Sequence, residues 1–302
     1  MGEKMRHAIL GAGGVGGLIG AALARSGESV TLVLRAEALT NYPAELSLES
    51  LFGTFSIPVE HTSTVTEPFD VLWVTVKATH LDSALRSVIV APEQIGAIVP
   101  LLNGIAHIAI LRARFGHDRV VPATIVVESE RVSPGRIVHR GTAARLNVSS
   151  VGESRLASTM EELRQFGFAC QFGEDEMKIL WSKLAILAPF ALTTTASGMT
   201  SGEIRSNPEW RRRFEAAIRE ACAVSTATGT PLDAETFLQY FEKMPPGGRS
   251  SMQKDVAAGN PPELDAIAGP ILRGAALHGF DVPVTRELAR LIQGKSAAPG
   301  KN

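Results

Sequence analysis

The sequence contains few cysteines, no excess of basic charge and no long uninterrupted apolar run. Its two cysteines, Cys170 and Cys222, form no CxxC or metal-ligand pattern, which is typical of a reduced, cytoplasmic protein. The formal net charge of −1 excludes the basic footprint of a nucleic-acid-binding protein. No apolar stretch approaches the about 20 residues of a membrane span without a charge or a proline, so no membrane partner is expected. The histidines show no metal-ligand spacing, and no metal site is expected.

The order of predicted elements favours an α/β fold, with a Rossmann-type, mostly parallel sheet followed by an all-helical domain. The chain has 302 residues, enough for two domains, and its 45% hydrophobic content can supply a sizeable core. Strand patterns disappear after about residue 173. We therefore predict a dinucleotide-binding domain over residues 1–173 and a helical substrate domain over residues 174–302.

The individual elements follow from periodicity, turn residues and caps. Strands are predicted over 7–10, 29–34, 71–76, 97–102, 120–128, 136–139 and 169–172, with a hairpin of 46–51 and 54–59 turned at Gly53. Helices are predicted from Leu18 to Gly27 and over 80–90, 108–115, 156–166, 174–195, 209–228, 233–243, 250–258 and 262–279, with a frayed tail from Gly294.

A glycine-rich turn directly follows the first predicted strand. It reads Gly11-Ala12-Gly13-Gly14-Val15-Gly16, and an apolar helix pattern begins after it. Gly11 permits the tight turn, Gly13 lets backbone N–H groups approach a diphosphate, and Gly16 lets the helix pack close to the strand. The positive end of the helix dipole favours the phosphates. A secretory signal is the alternative, but six glycines between residues 11 and 20 disfavour its helical segment.

The second predicted strand ends at Arg35, where an NAD-binding protein would carry an acidic residue. An arginine suits the 2′-phosphate of NADP, so NADP(H) is the predicted cofactor. The alternative is a solvated surface charge.

Lys183 lies in a predicted apolar helix, and the same face continues one and two turns later at Leu187 and Ala191. An ammonium group on an apolar face is disfavoured as a cation, so its pKa should fall towards neutrality. Such a lysine can donate a proton to a carbonyl oxygen while a hydride reaches the carbon. The alternative is a lysine whose stem covers the core and whose head reaches water.

Further polar residues have both functional and structural interpretations. Glu263 either orients Lys183 or completes a capping box that begins at Asn260. Ser250 and Ser251 open a predicted helix, and each either binds a carboxylate or caps the helix. Asn103 with Gly104 either lines the site or forms a simple turn, and Lys77 is either functional or a strand-end lysine.

The ordered set of motifs resembles the ketopantoate reductase family over nearly the whole chain. The matching residues are Gly11-x-Gly13-x-x-Gly16, Leu34-Arg35, Thr75-Val76-Lys77, Asn103-Gly104, Trp181-x-Lys183-Leu184, Ser250-Ser251-Met252-x-x-Asp255, and Glu263 twelve residues after Ser251. The resemblance implies that Lys183 is the general acid and that Glu263 positions it and the substrate. It also implies that Asn103 and Ser251 contact the substrate, that Asn103 and Lys77 contact the cofactor, and that Arg35 holds the NADP 2′-phosphate.

The chain departs from the family one and two turns after the lysine. Members commonly carry asparagines there, which bind substrate hydroxyls, whereas this chain has Leu187 and Ala191. The loss of such partners can change substrate preference by orders of magnitude. Pro189 lies between the two positions and is predicted to interrupt the helix there.

These features predict NADPH-dependent reduction of a small 2-oxo acid to a 2-hydroxy acid. The resemblance implies 2-dehydropantoate (ketopantoate) as substrate and pantoate, a pantothenate precursor, as product. Three alternatives stay open: a reductase for a more apolar 2-oxo acid, a 3-hydroxy acid or polyol-phosphate dehydrogenase, and a non-catalytic NADP-binding sensor. The oligomeric state stays open: helical domains of this kind often pair through apolar faces, which makes a homodimer the assembly to test.

Overall fold

The computed structural model describes residues 4–141 and 144–297. The chain divides into two compact units, Met1–Leu102 with His107–Ile179 and Asn103–Ala106 with Leu180–Asn302. The predicted assignment of cofactor binding to residues 1–173 and substrate binding to 174–302 is functional and stays a prediction.

The first unit contains the strands and the shorter helices. The strands are β1 (Arg6–Leu10), β2 (Ser29–Val33), β3 (Glu45–Ser50), β4 (Gly53–Pro58), β5 (Glu60–Thr62), β6 (Phe69–Val74), β7 (Ile95–Pro100), β8 (Ala123–Val126), β9 (Ser129–Ser133), β10 (Arg136–His139), β11 (Arg145–Ser149) and β12 (Ala169–Gly173). The helices are α1 (Gly14–Ser26), α2 (Ala36–Leu39), α3 (Leu81–Leu85), α4 (His107–Phe115) and α5 (Glu153–Phe166).

A five-stranded parallel sheet in the order β5-β2-β1-β6-β7 forms the centre of this unit. Its inner strands are apolar on both faces because each face packs against a separate hydrophobic cluster. In β1, Ile9 belongs to one cluster, and Ala8 and Leu10 belong to the other. The predicted Rossmann-type, mostly parallel sheet is confirmed.

Two smaller sheets complete the unit, in the orders β4-β3-β10-β9 and β12-β11-β8. The hairpin of β3 and β4 is confirmed within one residue, although Leu51 and Phe52 form its turn and Gly53 begins β4. Strands β9 and β11, like β5 of the central sheet, lie outside the predicted set. The helix predicted over 80–90 is wrong in length, because α3 ends at Leu85.

The second unit is helical in the part that the structure describes. Its helices are α6 (Glu176–Ser197, whose first residues belong to the first unit), α7 (Ser201–Ser206), α8 (Pro208–Ala227), α9 (Ala234–Glu242), α10 (Ser251–Ala257), α11 (Leu264–His278) and α12 (Pro283–Ala297). The predicted all-helical part is confirmed, but α7 and α12 were not predicted. The frayed tail is wrong for Gly294 to Ala297, which continue α12, while residues 298–302 lie outside the described residues.

Helix α6 is continuous through Pro189, so the predicted interruption is wrong. Its length and apolar composition would allow it to cross a membrane, but 72% of its most apolar 18-residue window is buried inside the protein, as expected for a core helix. Lys183, Leu187 and Ala191 are therefore on one helix face with an undisturbed four-residue spacing.

Candidate active site

The glycine-rich turn connects β1 to α1. Gly11 has φ +105°, a conformation that favours glycine, and Gly13 is the N-cap of α1. No side chain caps this helix end. The first N–H groups of α1 therefore lack a side-chain acceptor, as in helices that bind phosphate at the N-terminus.

The glycines of the turn differ in the space around them. A Cβ atom at Gly13 would meet no protein atom within 4 Å, whereas one at Gly14 would lie 2.2 Å from the Ser129 carbonyl oxygen. A Cβ at Gly16 would lie 2.2 Å from the Gly11 carbonyl oxygen. Gly14 and Gly16 thus permit protein packing, and Gly13 faces open space. Open space beside bare helix amides fits the diphosphate of a dinucleotide.

The other turn residues and the two predicted cationic residues lie in the same unit. Ala12 is buried and Val15 is half-buried. Arg35 follows β2 as the N-cap of α2, its side chain is 79% exposed, and its Nε lies 3.6 Å from a Glu37 carboxylate oxygen. This exposed position agrees with both phosphate binding and a surface charge. Lys77 is half-buried three residues after β6 ends.

Three predicted site residues form a hydrogen-bonded chain within the helical unit. The Lys183 ammonium donates to Asn103 Oδ1 at 3.1 Å. Asn103 in turn donates through its Nδ2 to Glu263 Oε2 at 3.2 Å. Residues separated by 80 and 160 positions are thus joined through one carboxamide.

Asn103 reaches this unit through a packed turn. Gly104 has φ +82°, and a Cβ there would lie 2.2 Å from the Ala266 carbonyl oxygen in α11. The sequence Asn103-Gly104 is therefore a turn, as its structural interpretation states, and it also brings the carboxamide to Lys183 and Glu263.

The capping-box interpretation of Glu263 is wrong. Helix α11 begins at Leu264 with Glu263 itself as the N-cap, and the Glu263 side chain makes no capping hydrogen bond. Residue 263 is 8% exposed, and its carboxylate accepts from Asn103 instead. A buried carboxylate is thereby available to act on the lysine.

Burial lowers the pKa of Lys183 from 10.5 to about 8, while the negative charge of Glu263 acts in the opposite direction. The bond to Asn103 disfavours the alternative of an ammonium group that is simply hydrated. On the same helix face, Leu187 is half-buried and Ala191 is 1% exposed. Lys183 therefore combines a more acidic ammonium group with an apolar helix face.

The two serines of the Ser-Ser-Met sequence have different environments. Ser250 is the N-cap of α10: its hydroxyl accepts from the Gln253 N–H at 3.1 Å and lies 2.8 Å from the Thr194 hydroxyl. Ser251 is the first helical residue and is exposed. The cap interpretation thus holds for Ser250, and Ser251 stays the predicted carboxylate contact.

The sequence assigned no role to two hydroxyl groups beside the glycine turn, although Thr75 belongs to one of the matching motifs. Thr75 Oγ1 donates to the Gly11 carbonyl oxygen at 2.7 Å, and Ser129 Oγ donates to the Gly14 carbonyl oxygen at 2.8 Å. Thr75 directly follows β6, which pairs with β1. This position at the end of the neighbouring strand is the one local signal that points to a contact with the glycine turn. Ser129 begins a strand that was not predicted. Among the described residues no cluster of His, Cys, Asp and Glu is suited to a metal ion.

A glycine-rich turn at the first strand of a parallel sheet, followed by a helical part, is the plan of many nicotinamide-dependent oxidoreductases. The family model for ketopantoate reductase PanE/ApbA matches residues 7–153, and the model for its C-terminal part matches residues 175–296. The chain belongs to the ketopantoate reductase family.

Several known proteins are similar over almost their whole length. A 2-dehydropantoate 2-reductase of Caulobacter vibrioides is 30% identical, with 94% of this chain and 97% of the relative covered. The crystal structure of 2-dehydropantoate 2-reductase from Geobacter metallireducens is 27% identical with a TM-score of 0.85, covering 96% of this chain and 99% of the other. The fold is shared with a ternary structure of D-mandelate dehydrogenase with NADH and anilino(oxo)acetate. That protein is 19% identical, with a TM-score of 0.84 and with 97% of this chain and 98% of the other covered.

Proposed function

We propose that this protein reduces a 2-oxo acid to a 2-hydroxy acid with NADPH, with 2-dehydropantoate as substrate and pantoate as product. The observation that carries the proposal is Lys183, an ammonium of lowered pKa bonded to Asn103, in a member of the ketopantoate reductase family. The names of the curated relatives support the substrate.

The chemistry needs one hydride and one proton. NADPH supplies the hydride to C2 when it is bound. Lys183 donates its proton to the oxygen on C2, so that the carbonyl becomes an alcohol and the lysine is left as a neutral amine that regains a proton from water. Asn103 fixes the ammonium through its Oδ1, and Glu263 fixes Asn103. A pKa of about 8 keeps most of Lys183 protonated at neutral pH and leaves it acidic enough to donate.

The remaining predicted residues serve binding. The turn from Gly11 to Gly16 accommodates the diphosphate, Arg35 pairs with the 2′-phosphate, and Lys77 and Asn103 contact the cofactor. Ser251 and Asn103 contact the substrate, with Ser251 binding its carboxylate. The open space at Gly13 and the exposed guanidinium of Arg35 support these assignments.

The direct test measures NADPH oxidation with 2-dehydropantoate. We expect turnover of this substrate, and the same assay without protein is the control. NADPH binding without turnover of any 2-oxo acid would contradict the proposal and favour the sensor hypothesis. Oxidation of 3-hydroxy acids or polyol phosphates with NAD, and no preference for NADP, would favour the dehydrogenase hypothesis.

A second candidate substrate is a more apolar, branched 2-oxo acid. The helix face beyond Lys183 presents hydrocarbon at Leu187 and Ala191, and α6 is continuous there, so the spacing is unambiguous. A substrate hydroxyl beside that face would lose hydrogen bonds to water without replacement. The comparison is kcat/KM for 2-dehydropantoate and for 3-methyl-2-oxobutanoate, which lacks the hydroxyl. A higher value for the latter, reversed in Leu187→Asn, would favour the second candidate.

Replacing Arg35 should change the coenzyme preference. We expect Arg35→Gln to raise the KM for NADPH about 10- to 100-fold, the equivalent of one charge-assisted hydrogen bond, and to leave the KM for NADH unchanged. Arg35→Asp should move the preference further towards NADH. The control is Arg25→Gln, in the last turn of α1, which should alter neither value. Unchanged constants in the Arg35 variants would show that this residue is only a surface charge.

We also propose that the protein works in the cytoplasm on a small-molecule substrate. Cys170 and Cys222 are unpaired, buried thiols, as suits a reducing compartment. The homodimer stays a prediction, which light scattering of the purified protein tests.

A further inference from the structure

Two hydroxyl groups from outside the glycine motif hold the carbonyl groups of its turn. Thr75 Oγ1 lies 2.7 Å from the Gly11 carbonyl oxygen and 3.2 Å from that of Leu10. Ser129 Oγ lies 2.8 Å from the Gly14 carbonyl oxygen. Both hydroxyls belong to the same unit as the turn.

The packing around these bonds explains two of the glycines. A Cβ at Gly16 would lie 2.4 Å from Thr75 Oγ1, so a side chain there would displace the hydroxyl from Gly11. A Cβ at Gly14 would lie 2.2 Å from the Ser129 carbonyl oxygen, so a side chain there would push away the start of β9. Gly14 and Gly16 therefore make room for the two hydroxyl contacts as well as for close packing of the helix.

Anchoring a carbonyl group also directs the next N–H group. A trans peptide is planar, and its C=O and N–H point in opposite directions. The bond from Thr75 to Gly11 therefore turns the Ala12 N–H away from Thr75, and the bond from Ser129 to Gly14 turns the Val15 N–H away from Ser129. The Gly13 N–H donates to the Gly11 carbonyl oxygen at 2.9 Å, so it points into the turn.

We propose that Thr75 and Ser129 are positioning residues of the cofactor site, which fix the Ala12 and Val15 N–H groups for the diphosphate before it binds. This inference rests on the proposed function in one respect, that NADP(H) is the ligand of the glycine turn. Pre-formed donors need no reordering when the anion arrives, so losing either hydroxyl should weaken diphosphate binding more than it weakens the fold.

The experiment compares two ligands by calorimetry, without substrate. NADP⁺ carries the diphosphate and the 2′-phosphate, whereas adenosine 2′-monophosphate carries only the latter. We expect Thr75→Val, which keeps the shape and removes the hydroxyl, to raise the Kd for NADP⁺ about tenfold, the equivalent of one hydrogen bond. Ser129→Ala should have a similar effect. The Kd for adenosine 2′-monophosphate should change less than twofold, and Thr75→Ser should restore NADP⁺ binding.

The matched control is Ser87→Ala. Ser87 Oγ donates to the Ala84 carbonyl oxygen at 2.7 Å after α3, so this variant also loses one hydroxyl-to-carbonyl bond in the same unit. We expect it to leave the NADP⁺ affinity unchanged. An unchanged NADP⁺ affinity in both Thr75→Val and Ser129→Ala, or a parallel loss of both ligands, would overturn the inference while the proposed function stands. Absence of NADP⁺ binding by the unaltered protein would overturn both.

Discussion

Replacing Lys183 by methionine is expected to lower kcat for 2-oxo acid reduction by about 10²- to 10⁴-fold, the usual contribution of a positioned proton donor. Methionine preserves the length and apolar stem of the side chain but cannot donate to Asn103 Oδ1 or to a substrate oxygen. The measurement is steady-state NADPH oxidation at saturating substrate.

The control for Lys183→Met is Lys178→Met, an exchange of the same kind on an earlier turn of α6. We expect it to keep kcat within about twofold, since surface substitutions away from a site have small effects. The NADPH Kd of Lys183→Met should also stay near that of the unaltered protein. A kcat that falls less than about threefold in Lys183→Met would remove this residue from the proton transfer.

The same lysine predicts the pH dependence of the reduction. Burial lowers its pKa to about 8, so the proton is present below pH 8 and is lost above it. The rate should therefore be constant at lower pH and fall up to tenfold per pH unit above about 8. The carboxylate of Glu263 raises this pKa, and Glu263→Gln should move the midpoint to lower pH. An unmoved midpoint would contradict a positioning role for Glu263.

The free energy of unfolding should show the complementary effect. Between pH of about 8 and 10.5 the unfolded chain holds a proton on Lys183 that the folded chain has released. Because the unfolded state binds more protons in this window, the contribution of Lys183 makes the protein more stable as pH rises through it. Urea unfolding of the unaltered protein and of Lys183→Met across this window measures the difference.

The second large effect is expected at Gly13. Its backbone has φ −83° and ψ −163°, which alanine adopts, and its Cβ would meet no protein atom within 4 Å. Gly13→Ala should change the free energy of unfolding by less than about 1 kcal/mol, because alanine restricts the unfolded chain but is a poorer N-cap than glycine. The methyl group would occupy the space predicted for the diphosphate, so the Kd for NADPH should rise at least about tenfold.

Two further glycines provide the comparison. Gly16→Ala should destabilise the unliganded protein by about 1–3 kcal/mol, because its Cβ would lie 2.2 Å from the Gly11 carbonyl oxygen. Gly20→Ala, in the same helix with its nearest contact at 3.4 Å, should alter neither stability nor affinity by much. Calorimetry measures the NADPH affinity of the three glycine variants, and urea unfolding without NADPH measures their stability. An unaltered NADPH affinity in Gly13→Ala would show that the diphosphate does not approach this residue.

The sequence predicted those elements whose formation depends mainly on residues close together in the chain. The buried strand β1, the glycine turn and α1 follow from an apolar run, a glycine pattern and helical periodicity, and the hairpin follows from alternation on either side of a turn. Strand β9 was not predicted because four of its five residues, Ser129 to Ser133, are polar and all but the first are exposed, so it has no apolar alternation to detect. Its place is set by pairing with β10, which is a tertiary effect.

Glu263 shows the same limit within the site. The local sequence favoured a capping box because Asn260, Pro261 and Glu263 have the residue types and spacing of an N-cap, a first helical proline and an acid three residues after the cap. The carboxylate instead bonds to Asn103, which is 160 residues away and outside any local window. The resemblance to a family assigned Lys183, Asn103 and Glu263 to one site, but only the folded chain shows their order, with Asn103 in the middle.

The central place of Asn103 has a consequence for where the proton can go. Its carboxamide can satisfy both neighbours in one orientation only, with the oxygen towards the cation and the nitrogen towards the anion. An amide nitrogen is far too weak an acid to pass its hydrogen along at physiological pH. The Asn103 side chain therefore transmits the electrostatic influence of the buried carboxylate to the lysine but carries no proton between the two groups, so Lys183 exchanges protons with substrate or water and not with Glu263 through this amide.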